Sequence, residues 1–217
     1  MQQTSQAQRT RDDYLAAILE PDPFRAREVA RNAVDGGLSL ESVYTEVFEP
    51  VMVEVGHRWE QGTLSVAHEH LAAEVTTSLI SELSRRVRRG PEGGRLAIVC
   101  CSPGERHCIG PQMLSGLLEA NGWEVLYLGA TLPREDLVGL ADSEVPDVVA
   151  LSTTMSAHLP DVRDTIPALQ ELPEPPLVVL GGQAYRGEEH AREMGADVWA
   201  PSAAAASALL EREIRPT

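Results

Sequence analysis

The chain has no lysine. All 18 of its basic side chains are arginine, against 33 acidic ones, for a formal charge of −15 in 217 residues. That balance argues against sequence-independent nucleic-acid binding, which basic contacts to phosphate drive, and against a polybasic membrane patch. Aromatics make up only 4% of the chain, so a core must be built from Leu, Val, Ala and Ile. The three cysteines, Cys100, Cys101 and Cys108, form neither a CxxC pair nor an even disulfide framework, and two of them read as small hydrophobes in a buried strand. No apolar run is long enough to span a bilayer. The polar start, residues 1–13, lacks an apolar signal core, which predicts a cytoplasmic protein. What is present is an ordinary apolar fraction of 43%, too high for a disordered acidic tail.

Residues 12–89 read as a small four-helix bundle. Tyr14–Leu19 is a short amphipathic run stopped by Pro21. Asp22 followed by Pro23 is an N-cap with proline at the first helical position, and that helix ends at Gly36-Gly37. Ser39 caps the next, which carries Val43, Val47, Val51 and Val55 on one face, with a kink expected at Pro50. Gly62 stops it. Ser65 caps the last helix, whose expected stripe is Leu71, Val75, Leu79, Leu83 and Val87. The run Arg85–Arg89 reads as a solvated helix end, and residues 89–94 as a linker.

From Arg95 the pattern changes. Apolar runs at 96–101, 124–128, 147–152, 177–181 and 197–200 alternate with amphipathic helices near 110–121, 133–143, 158–171, 187–194 and 202–213. Strands alternating with helices predict a parallel sheet covered on both faces. The reading for residues 95–214 is a five-stranded, flavodoxin-like doubly wound domain, with its ligand beyond the carboxyl ends of the strands.

Three segments fall on that edge. The first strand is followed by Ser102-Pro103-Gly104-Glu105-Arg106-His107-Cys108-Ile109-Gly110, the third ends in Ser152-Thr153-Thr154, and the fourth in Gly181-Gly182-Gln183. A loop histidine beside a carboxylate is a metal-ligand arrangement: one ring nitrogen binds while the carboxylate holds the other N–H. A glycine-rich edge also suits a flavin or another phosphate ligand, but no GxGxxG follows the first strand.

Glu105-x-His107-x-x-Gly110, Ser152-x-Thr154 and Gly181-Gly182 resemble the cobalamin-binding domain of methionine synthase, corrinoid methyltransferase proteins and base-off/His-on mutases, with Glu where Asp is usual. In the helical half, Trp59, nine residues, then Glu69-His70 resembles the cap bundle of cobalamin-dependent photoreceptors of the CarH and LitR type. The resemblance implies that cobalamin lies between the halves with its benzimidazole tail in a slot beside the sheet. It places His107 on the lower face of cobalt, and Glu105 behind it, fixing its tautomer and strengthening it as a ligand. Arg106, Cys108, Ile109 and Gly110 complete that loop. Ser152 and Thr154 would line the tail slot, Gly181 and Gly182 would close it, and Leu128-Gly129-Ala130-Thr131 would meet the corrin edge. Trp59 would pack against the upper ligand, with Glu60 and Val66 beside it and Glu69 and His70 on an adenosyl ribose. His57, His68, His158 and His190 match nothing in the shared motifs and read as surface residues or support for other groups.

By this resemblance the protein is a light sensor carrying adenosylcobalamin, or methylcobalamin, and signalling through loss of the upper ligand and a change in packing. A corrinoid methyl carrier, a cobalamin storage protein, and a photoreceptor using a bilin together with cobalamin are the alternatives. The photoreceptors carry a DNA-binding domain before the bundle. Here about eleven residues precede the first expected helix, so the expectation is a stand-alone module, a homo-oligomer of at least a dimer, acting through an unknown signalling protein and not directly on nucleic acid. No triad, general-base pair or phosphate loop suggests an enzyme. Where the photoreceptors commonly carry histidine after the motif Trp, this chain has Glu60, which predicts a light state that is not a stable bis-histidine cobalt.

Overall fold

The computed structural model describes residues 2–87, 90 and 93–214. The chain divides into two compact units, Met1–Val87 and Arg88–Thr217.

The first unit is helical: α1 (Gln2–Leu19), α2 (Pro23–Asp35), a short α3 (Leu40–Ser42) running through a π-helical turn (Val43–Phe48) into α4 (Glu49–Glu60), and α5 (Val66–Arg86). The caps read from the sequence are in place. Asp22 Oδ1 accepts from the amides of Phe24 (3.1 Å) and Arg25 (3.0 Å), Ser39 Oγ from Ser42 (3.0 Å) and Ser65 Oγ from His68 (3.4 Å). Each such cap is worth about 1 kcal/mol. Val43, Val47, Val51 and Val55 are all buried. Three aromatics of the unit are buried as well, Phe48 lying 5.0 Å from the Tyr14 ring and 6.1 Å from that of Tyr44. The two phenols are satisfied inside the unit, Tyr14 by Thr76 and Tyr44 by Ser84, each at 2.9 Å.

Three details differ from expectation. First, α1 begins at Gln2, not near residue 12, because its buried side is Ala7, Thr10, Tyr14 and Ala17. Alanine and threonine at 3-4-3 spacing pack well but form no visible apolar stripe. Second, the stripe of α5 is Ala72, Val75, Thr76, Leu79, Ile80 and Leu83, while Leu71 is exposed and Val87 lies beyond the helix in extended backbone. Third, Pro50 stands in the first turn of α4, directly after the π turn. A proline offers no N–H and crowds the carbonyl four residues back, and the wider π turn absorbs that misfit. Arg86 closes α5 with an ion pair to Asp35 at 3.5 Å. Arg88 and Arg89 lie outside the described residues, as do residues 91 and 92 of the expected linker. Within it, the amide of Gly90 donates to Ala120 O at 2.8 Å.

The second unit is a five-stranded parallel sheet in the order β2-β1-β3-β4-β5, as expected for a flavodoxin-like doubly wound fold. The strands are β1 (Leu96–Cys101), β2 (Glu124–Gly129), β3 (Val148–Ser152), β4 (Leu177–Gly181) and β5 (Val198–Ala200). The helices are α6 (Ile109–Ala120), α7 (Arg134–Glu144), α8 (Leu159–Gln170), α9 (Glu188–Glu193) and α10 (Ala203–Glu213). Alternate residues of each strand feed opposite cores. Ile98, Cys100, Val149, Leu151, Val178 and Leu180 pack with Leu137, Val162 and Ile166. Ala97, Val99, Val148, Ala150 and Val179 pack with Leu114, Leu118 and Leu210. Burial pushes the Cys100 thiol up to about 12, so it is an inert filler. The register aligns Cys101 with Ser152 and Ser152 with Gly181. The chain therefore leaves β1, β3 and β4 along one line, and β1 and β3 flank the switch point of this strand order.

Candidate functional site

Glu105 is the hub of that edge. It is fully buried, and its carboxylate collects five donors from two loops. Oε1 accepts from the amides of Arg106 (2.7 Å) and His107 (3.0 Å) and from His107 Nδ1 (2.5 Å). Oε2 accepts from the amides of Thr154 and Met155, both at 2.8 Å. Its backbone carbonyl accepts from the amide of Thr131 at 3.2 Å. One residue thus fastens the loops after β1, β2 and β3 to each other. Burial alone would raise this carboxyl. The hydrogen bonds from Met155, the His107 ring and the amides of His107 and Arg106 outweigh it and hold the group down at about 2. A carboxylate held ionised can only accept, so His107 Nδ1 is the donor, and in the neutral form of the ring Nε2 carries the lone pair. The His107 side chain is 54% exposed, and no described residue bonds Nε2.

Around this hub the other expected residues take their places. Arg106 is exposed. Cys108 is the N-cap of α6, and Ile109 and Gly110 are its first residues. The loop is braced from below, Tyr127 OH donating to Cys108 O at 3.3 Å and Cys101 Sγ contacting His107 O at 3.5 Å. A Cβ on Gly110 would meet Ser152 Oγ at 3.8 Å, an ordinary van der Waals contact, so the first turn of α6 lies close to the end of β3, and only the missing side chain of Gly110 leaves room there. Thr154 contributes its amide to Glu105. Leu128 packs against the core on one face of the sheet, while Gly129, with φ +71°, and Thr131, with φ +61°, turn the chain out of β2. Gly182, with φ +100°, rests so tightly on the backbone of Thr153 that a Cβ there would collide with it.

The sequence reading missed a chain of buried hydroxyls beneath this edge. Ser102 Oγ lies 2.6 Å from Thr153 Oγ1, which lies 2.9 Å from Tyr185 OH. Ser102 and Thr153 are fully buried and Tyr185 nearly so. Two histidines set aside from the sequence also serve the edge. The His158 ring packs on the Gly104 turn, and His190 Nδ1 accepts from the amide of Arg186 at 3.3 Å.

In the helical unit, Gly62, with φ +71°, reverses the chain between α4 and α5. Trp59, one residue before the end of α4, is 47% exposed, and Val66, the first residue of α5, is 54% exposed. Glu69 Oε2 and His70 Nδ1 are paired at 2.7 Å in the first turn of α5. Glu60 and His57 are exposed at the end of α4, and His68 completes the α5 cap with its ring 2.7 Å from Ser65 Oγ.

A profile described as a B12 binding domain matches residues 95–210, and a second of the same description matches residues 10–84. The HTH-type transcriptional repressor CarH of Myxococcus xanthus is 34% identical over 184 residues, 84% of this chain and 60% of that protein. The chain therefore spans about three fifths of the length of that relative. Dimethylamine corrinoid protein 3 of Methanosarcina mazei is 31% identical over 159 residues, 71% of this chain and 95% of that one. The solved structure of the Methanosarcina barkeri monomethylamine corrinoid protein has the same fold, with a TM-score of 0.84 at 21% identity over 95% of this chain and 99% of that one. Among the described residues, no helix is long and apolar enough to cross a membrane.

Proposed function

The chain belongs to the B12-binding domain family and is a cobalamin-binding protein; from that premise we propose that it is a sensory module that holds adenosylcobalamin with its tail detached from the metal and His107 in its place. The residues present fit such a group. His107 would offer its Nε2 to the cobalt, and Glu105 holds the ring by its other nitrogen. The glycines and short hydroxyl side chains of this edge suit the close approach of the tail: Gly110, which has no side chain where α6 nears Ser152, with Thr154 and Gly181-Gly182 around it. Arg106, Cys108 and Ile109 stand beside His107, and Gly129, Ala130 and Thr131 are offered to the corrin edge, with Leu128 behind them in the core. Bound cobalamin would supply an upper cobalt–carbon bond that light breaks.

The observation that carries the sensor reading is in the helical unit. An aromatic as large as Trp59 stands half exposed at a helix end, with the preformed Glu69–His70 pair across the Gly62 turn. This suits an aromatic plate over an adenosyl group, with polar contacts to its ribose, and Glu60 and Val66 border it. No residue is assigned a catalytic role. The signal would pass through self-association of at least two copies and an unidentified protein partner, and the charge of −15 disfavours direct contact with nucleic acid. A second reading, a corrinoid methyl carrier serving a methyltransferase, is supported by the 95% of the dimethylamine corrinoid protein's length that this chain matches.

The test is protein purified in the dark with adenosylcobalamin, followed by absorption and light scattering before and after green and red light. The expected result is a cobalamin spectrum that green light changes, together with a change in particle mass from a dark dimer or larger. Unchanged mass in light sinks the sensor and leaves the carrier. Absorption that red light alone shifts would reveal a bilin. With Glu60 after the motif Trp, the irradiated spectrum is expected to lack bis-histidine cobalt.

His107→Ala separately tests the metal ligand. The side chain is largely exposed, so the variant is expected to fold normally and to bind cobalamin about tenfold or more weakly, without a protein nitrogen on cobalt by paramagnetic resonance. Wild-type affinity and spectrum would remove His107 from the metal.

A further inference from the structure

Two cysteines flank the loop that carries Glu105 and His107, and they lie on one face. Cys101 ends β1 and is buried. Side chains alternate along a strand, so Cys101 follows Ala97 and Val99 onto the face that α6 covers with Leu114 and Leu118. Cys100 packs in the opposite core. From its place Cys101 Sγ donates to His107 O at 3.5 Å. Cys108 is the next residue along, and unlike the other two cysteines it is partly exposed.

That contact bounds how far apart the two sulfurs are. The peptide between His107 and Cys108 is trans, which puts Cys108 Cα about 2.8 Å from His107 O. Cys101 Sγ therefore lies within roughly 6 Å of Cys108 Cα, and the Cys108 side chain turns about that atom. A disulfide needs its Cβ atoms about 3.8 Å apart, so a small movement of the loop closes the gap. Cys100 cannot compete for either sulfur, because its side chain points to the other face.

We propose that Cys101 and Cys108 are a thiol pair that a peroxide converts to a disulfide, and that the disulfide loosens the grip of His107 on cobalamin. The second half rests on the cobalamin reading above. Cys108, the exposed member, reacts first: its sulfur takes one oxygen from the peroxide to give a sulfenic acid, and water leaves. The Cys101 sulfur then bonds to that sulfur, the S–OH bond breaks, and the hydroxyl departs as water with the Cys101 proton. Two thiols have given up two electrons, and one hydrogen peroxide has become two waters. Burial, with Cys108, Cys100 and Glu105 as acidic neighbours, pushes the Cys101 thiol up, so Cys101 does not begin the reaction and the second step is slow. The product differs from the reduced loop in two ways. His107 O loses the S–H that bonds it from beneath, and a ring closes over residues 101–108, drawing Cys108 toward β1 and His107 with it.

The test treats the full chain, free of cobalamin, with hydrogen peroxide and counts its thiols. The count is expected to fall from three to one, with a mass lower by two hydrogens and a peptide map that joins Cys101 to Cys108. Cobalamin added afterwards is expected to bind about tenfold or more weakly, and dithiothreitol should restore both thiols and affinity. Cys101→Ser and Cys108→Ser should each lose the response, so that peroxide leaves whatever affinity the variant has unchanged. Cys100→Ala should respond as wild type does. Three thiols surviving peroxide, or Cys108 oxidised further with no bond to Cys101, overturns the pair. A disulfide that leaves cobalamin affinity unchanged overturns the control. An untreated wild type that binds no cobalamin overturns the cobalamin reading and the control resting on it, whereas the thiol count reads the pair without cobalamin.

Discussion

Replacing Glu105 with glutamine is expected to cost about 3 kcal/mol of stability and to lower cobalamin affinity about tenfold or more. An amide has one acceptor oxygen, and this carboxylate serves two pairs of backbone amides on opposite sides. Whichever way Gln turns, its NH2 faces two buried N–H donors, and such groups are expensive to leave unpaired. The shift of the carboxyl from 4.5 to about 2 gives the same magnitude, at 1.36 kcal/mol per pKa unit. The sign follows from the depressed folded-state value: the contribution is fully present above about pH 4.5 and is lost as pH falls toward 2. Urea denaturation of the cobalamin-free protein at pH 7 and pH 3 checks this. Wild type and Glu105→Gln should differ most at pH 7 and by roughly half as much or less at pH 3. A gap that is absent at pH 7, or equal at both, removes the ionised hub. Glu105→Asp keeps the charge but shortens the arm, so it cannot reach both loops. Its stability should fall between the two.

The same residue shows what the sequence could and could not disclose. The pairing of Glu105 with His107 was legible because they are two residues apart and share a loop. The grip of Glu105 on Thr154 and Met155 was not, because it spans some fifty positions and depends on β1 lying beside β3 in a particular register. The strands were readable for a simple reason: both faces are covered, so they are continuous Val, Ile and Leu runs with clear ends. The hydroxyl chain was hidden because Ser102, Thr153 and Tyr185 are common loop residues until β1, β3 and β4 align. The alternation Ser152, Thr153, Thr154 was the available signal, since only one face of that run can turn inward. The attention given to Ser152 and Thr154 passed over the buried residue between them. In the helical unit the caps were legible as local chemistry. The early start of α1 was not, because Ala7 and Thr10 bury little apolar surface each, and helix length there comes from packing rather than from pattern.

Two glycines at the edge should answer alanine substitution in opposite ways. Gly182 has φ +100°, which an L-residue adopts at a cost of order 1–3 kcal/mol, and its Cβ would fall on the backbone of Thr153, 2.7 Å from the carbonyl carbon and 2.8 Å from the amide nitrogen. Backbone cannot swing aside as a side chain does, so overpacking adds to strain. Gly182→Ala is expected to lose about 3 kcal/mol or more of stability and most cobalamin affinity, because the β4 loop must lift off Thr153. Gly110 is the contrast. It lies in the first turn of α6, where alanine is the better helix former by up to about 1 kcal/mol, and its Cβ would meet only Ser152 Oγ, at 3.8 Å. Gly110→Ala should therefore denature at the same urea concentration as wild type, or slightly higher, yet bind cobalamin more weakly, because its methyl group occupies the space assigned to the tail. Binding of cobinamide, which brings no tail, should be spared in Gly110→Ala and lost in Gly182→Ala only as far as the unit unfolds. A Gly182→Ala protein as stable as wild type would refute the close approach to Thr153. A Gly110→Ala protein with wild-type cobalamin affinity would mean that the tail runs elsewhere than between α6 and β3.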